Sequence, residues 1–136
     1  MPTHQEIVDD ANIRRNDIID QEKAIQRQIG VVSHGKSRTK MQDLQALTDT
    51  DISLINAREM LDLVTLQALD QTAELAEIRK GLKAAVKNLT AKTAQIAKFG
   101  TIAQDVTKVL GGLDSLTTKI QAIAAEQKAA KIKTTT

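Results

Sequence analysis

Apolar residues recur every seven positions along the middle of the chain: Leu47, Leu54, Leu61, Ala68, Leu75, Leu82, Leu89, Ile96, Ala103 and Leu110. The chain is 41% hydrophobic. Ten such positions in one register would arise by chance on the order of once in 10,000. A second row, three residues on, reads Thr50, Ala57, Val64, Gln71, Ile78, Ala85, Lys92, Phe99, Val106, Leu113. It is interrupted by Thr50, Gln71 and Lys92. The rows are the first and fourth positions of a heptad, the pattern of helices that bury a seam against other helices. The expected helix-packing interface is Leu47, Leu54, Leu61, Val64, Leu75, Ile78, Leu82, Leu89, Ile96, Phe99, Val106, Leu110 and Leu113. A polar break in such a row either sets register or marks a place where the facing helix is missing.

The flanks of the seam change along the chain. Early on they are polar (Asp51, Ser53, Arg58, Gln67, Thr72, Glu74); later they are apolar (Val86, Ile102, Val109, Leu116, Ile123). A two-stranded coil wants charged flanks, and a wider apolar face wants several neighbours. The pattern therefore predicts an all-α protein of long helices, in a coiled coil or an elongated multi-helix bundle, with three or more helices around the C-terminal half.

Element boundaries follow from local signals. Thr3 and Glu6 form a capping box, opening an amphipathic helix over residues 1–30. Its apolar face is narrow, so it is expected to pack less firmly than the rest or to dock on a partner. Gly30 is a candidate C-cap, and residues 31–40 read as a loop. Nothing then forces a stop, so residues 41–110 read as one heptad-patterned helix with a candidate break at Gly100. From Leu47 to Leu110 a continuous helix would span about 95 Å. Gly111 and Gly112 form the stronger expected break. A last helix is expected over 113–130, and residues 131–136 as a frayed tail.

Composition narrows the chemistry. The 136 residues include one Phe, no Trp, no Tyr and no Cys. Thick cores usually lean on aromatics, and without thiols neither disulfides nor thiolate metal sites form. No run of about 18 apolar residues suits a membrane span. The polar, acidic opening does not read as a signal peptide. The expectation is synthesis in the cytoplasm, with the final location left open.

The net charge of +2 is unevenly spread. Residues 1–75 carry 13 acidic and 8 basic side chains, and residues 76–136 carry 4 acidic and 11 basic. The halves should attract each other, within a chain or between chains. Lys80, Lys83, Lys87, Lys98, Lys108 and Lys119 are expected mostly to project away from the seam as a solvated face.

Gly30-Val31-Val32-Ser33-His34-Gly35-Lys36-Ser37 satisfies the phosphate-loop pattern. That loop follows a strand, and here a helical stretch precedes it, so the reading is a helix connector. The acid pairs Asp9 and Asp10, and Asp49 and Asp51, are expected near helix starts or on outer faces. No His or Gly-rich pocket accompanies them, so no catalytic, cofactor or metal residue is assigned.

In general character the chain resembles helical assembly proteins such as virion and secretion-apparatus subunits, without a residue motif tying it to one family. The expected function is a non-enzymatic structural or assembly subunit acting through helix packing in a homo-oligomer or larger complex. Its expected partners are other protein helices, with no cofactor and no small-molecule substrate. Two alternatives stand beside it: a membrane-active, pore-forming-like helical protein, and a basic nucleic-acid-associated helical protein. Against the second stands the lack of aromatics for stacking bases.

Overall fold

A computed structural model describes residues 2–70 and 74–135. It contains four long helices: α1 (His4–Ser33), α2 (Lys40–Leu69), α3 (Ala76–Gln95) and α4 (Gly100–Thr135), with one 3-10 turn (Ala97–Phe99) before α4. Cross-helix contacts fix their directions. Arg15 and Glu22 on α1 meet Asp62 and Arg58 on α2. Ser53 and Asp43 on α2 meet Asn88 and Lys98. Leu75 and Arg79 meet Gln127 and Gln121 on α4. On α4, Lys119 returns to Asp10 of α1 and Gly112 lies against Arg14. In each pair of elements one number rises as the other falls, so all four neighbouring pairs are antiparallel. α1 packs on α2, α2 on α3, α3 on α4, and α4 on α1. The chain is an up-down-up-down four-helix bundle.

The expected 41–110 helix is therefore corrected. It ends at Leu69, restarts at Ala76, and turns again over Ile96–Gly100. The heptad register survives both turns: Ala68 before the first and Leu75 after it are buried, as are Leu89 and Ile96 before the second and Val106 after it. One stripe thus lines three successive helices. A lone rod would leave that stripe in water, whereas folding back buries it against the chain's own neighbours.

Gly111 and Gly112 do not break the chain; both lie inside α4. Each costs about 1 kcal/mol against Ala in a helix. Around them Val106, Leu113, Leu116 and Ile120 are fully buried, and that packing holds the helix. Gly112 also has a contact role. A Cβ there would lie 2.7 Å from Arg14 Cδ and 2.8 Å from its Nε. The missing side chain lets Arg14 lie against α4 while its Nη2 reaches Asp10 at 3.2 Å.

α1 also exceeds expectation. Thr3 Oγ1 accepts from the Glu6 amide at 3.1 Å, as a capping box requires. The helix then runs through Gly30 to Ser33. No glycine among the described residues has positive φ. Ile29 and Val32 still pack on the core. Ser33 Oγ donates to the Ile29 carbonyl at 2.7 Å, and His34 Nδ1 bonds the Gly30 carbonyl at 2.8 Å. Burial and these caps outlast the glycine. Nor is α1 loosely held: Ile7, Ile18 and Ile25 are fully buried. At the other terminus, the residues expected to fray continue α4 through Thr135.

Candidate functional site

The core accounts for most of the expected packing interface. Leu47, Leu54, Leu61, Val64, Leu75, Leu82, Leu89, Ile96, Val106 and Leu113 are fully buried, and Leu110 nearly so. Ile78 and Phe99 are half-buried against them. All of these side chains pack within one chain. Lys98 Nζ sits 5.6 Å from the centre of the Phe99 ring, within cation–π range. The same ammonium donates to Asp43 Oδ2 at 2.9 Å and to Thr39 Oγ1 at 3.2 Å, closing the end of the bundle where α1 turns into α2.

Two of the polar breaks meet. Thr50 is fully buried, and its hydroxyl lies 2.9 Å from the Ala46 carbonyl and 3.2 Å from the Lys92 carbonyl. Thr50 therefore meets α3 through the main chain at Lys92, and the contact is to the carbonyl rather than to the ammonium. One turn on, buried Ser53 donates to Asn88 Oδ1 at 2.5 Å. Gln71 lies outside the described residues.

The acid pairs divide differently from expectation. Asp10 and Asp51 turn inward. Asp10 is 6% exposed and is held by Arg14 and Lys119. Asp51 lies beside the ion pair of Glu22 and Arg58. Arg58 Nε and Nη2 donate to the two Glu22 oxygens at 2.8 and 3.2 Å, a bidentate fork. This bond is the main reason the guanidinium pKa stands above its ordinary value. Asp51 forms no ion pair among the described residues, and its Oδ1 is buried without a hydrogen bond. Burial, helped by the Glu22 charge, pushes its carboxyl pKa above the usual 3.8; a hydrogen bond from Gln26 and the Arg58 charge pull the other way.

The phosphate-loop match is a helix connector. Gly30 is inside α1, and the Ser37 hydroxyl is taken up by the Thr39 amide and hydroxyl at 3.2 and 3.0 Å. Among the described residues no cluster of His, Cys, Asp or Glu could hold a metal ion. No described helix is long and apolar enough to cross a membrane.

What the core leaves outside is the feature that heptad reading missed. Met41, Ile52, Leu63, Leu66 and Leu69 on α2 are exposed, from 45% at Leu63 to 75% at Met41. Met41, Ile52 and Leu63 are spaced by 11, close to three full turns, so they share one outward face. Leu66 lies beside them. The 11-residue spacing was available in the sequence, but the stronger seven-residue row on the opposite face of the same helix hides it.

On another side of the bundle, Lys80, Lys83, Ala84, Val86, Lys87 and Thr90 of α3 and Asp114 of α4 line an open groove of about 480 Å³, in which Val86 is buried and Ala84 exposed. Lys83, Lys87 and Lys108 are exposed and form no ion pair among the described residues. Lys98 and Lys119 instead bind acids of the first half. The attraction expected between the halves is realised within the chain at those two points, and the remaining lysines face outward.

Comparison with protein-family models, with curated proteins and with solved structures found no match to this chain.

Proposed function

We propose that the protein is a non-enzymatic assembly subunit that acts through helix packing, and that the outward face of α2 is its contact surface. The observation that carries this reading is the row Met41, Ile52, Leu63 and Leu66, exposed on a bundle whose core is already filled by its own seam. A row of large apolar side chains along one helix offers a second helix a place to pack. The seam itself serves folding, and the outer row serves assembly.

Sedimentation equilibrium of the full chain, from micromolar to near-millimolar concentration, tests the reading. The expected result is a mass that climbs above the monomer as concentration rises, with no co-sedimentation on phosphatidylglycerol vesicles. A chain that remains monomeric throughout and binds those vesicles would overturn it in favour of a membrane-active protein. Salt-dependent binding to a DNA duplex by that monomer would favour the nucleic-acid reading instead.

A further inference from the structure

The assembly reading leaves the partner of α2 unnamed. Resting on that reading, we infer that the partner is a second copy of this chain, which receives the α2 face in its own α3–α4 groove. The argument is one of complementarity. The α2 face combines exposed Ile52, Leu63 and Leu66 with exposed Glu59. Beyond Lys40 the only cation on α2 is Arg58, and it is turned towards Glu22 on α1. The face is therefore apolar with one acid, Glu59, set among its apolar side chains. The groove carries the opposite balance: Ala84 and Val86 are its apolar lining, and Lys80, Lys83 and Lys87 outnumber its one acid, Asp114. Lys83 and Lys87 form no ion pair among the described residues. Small lining residues leave room for Leu and Ile side chains, and the lysines gain Glu59. Opposite potentials of this kind steer encounter and fix orientation.

The two surfaces are different parts of the molecule. The contact is heterologous, and after pairing the dimer keeps one free surface of each kind, the groove of one copy and the α2 face of the other. Assembly then continues past the dimer unless a ring closes. α2 is about 45 Å long and a helix is about 10–12 Å wide, so the strip is on the order of 500 Å² per copy. That is below the roughly 800 Å² per partner of a stable complex. Association is accordingly weak, dependent on concentration, and weakened by salt, which screens the groove lysines.

Two double variants test the pairing, each altering exposed residues only. Leu63→Glu with Leu66→Glu spoils the α2 face and keeps the groove. Lys83→Glu with Lys87→Glu inverts the groove's charge and keeps the α2 face. Circular dichroism and melting first establish that both fold as the wild type does. In sedimentation equilibrium, each variant alone should lose all mass above the monomer. Mixed in equal amounts they should form a one-to-one dimer and nothing larger, because the intact face of one meets the intact groove of the other. If the lysine variant still assembles as the wild type does, the groove is not the receptor; the inference fails and the assembly reading survives. If both variants are monomeric but the mixture stays monomeric too, the heterologous pairing is wrong. If the wild type itself never exceeds the monomer mass, the second copy is excluded, and vesicle binding by that monomer would assign the α2 row to a lipid surface.

Discussion

Glu22 and Asp51 share the gap between α1 and α2, and the bidentate fork of Arg58 goes to Glu22 alone. The folded-state pKa of Asp51 is raised. Its protonated form therefore contributes stability that is fully present below the ordinary carboxylate range and lost as pH rises through the raised value. At pH 7 the ionised group works against the fold. Asp51→Asn should raise Tm at pH 7, and the advantage should shrink as pH falls through the raised value and be gone by about pH 4. Arg58→Met is predicted to act in the opposite direction. It leaves the buried Glu22 carboxylate without its fork and should cost about 1–3 kcal/mol in urea denaturation at neutral pH. Neither effect could be read from the sequence. Asp51 is written beside a polar flank, and only the pairing of α1 with α2 places it against another carboxylate. Thr50 and Lys92 tell the same story from the other side. Each breaks a heptad row, but their meeting depends on a chain reversal that lies between them.

At the scale of the helix, the seven-residue stripe and the starts of α1 and α2 were legible, and the other helix ends were not. Leu54 and its companions are buried as the period requires, because a period of seven reports which face is covered. It does not report which helix does the covering, so a stripe running through two turns looks like one rod. Glycines misled for a related reason. Propensity is local, whereas the packing that carries α4 through Gly111 and Gly112 comes from α1 and α3. Gly111 has open space where a Cβ would go, so Gly111→Ala should stabilise by about 1 kcal/mol. Gly112→Ala should return less of that gain, since Arg14 must leave the surface of α4. Thermal melts of the two variants side by side would check the difference. Leu54→Ala should cost about 2–5 kcal/mol, while Leu66→Ala, on the outward face of α2, should stay within about 0.5 kcal/mol of the wild type.

At the scale of the molecule, the seam is an internal device. It closes four antiparallel helices on one another and leaves the α2 row and the lysine-lined groove exposed on the outside of the bundle. The outer row was the least legible part of the candidate site, because its helix carries the stronger pattern on the other face. The fold-back is the claim on which the rest depends, and it is open to a single distance. Gln45 on α2 and Gln95 on α3 are both exposed, and the chain has no native Cys. Spin labels at Gln45→Cys and Gln95→Cys, diluted with unlabelled chain, therefore report one intrachain separation by pulsed electron resonance. Adjacent helices 8–10 Å apart, plus the label arms, put the distance below about 30 Å. A separation near 75 Å, the length of about 50 residues of unbroken helix, would contradict the bundle and restore the rod.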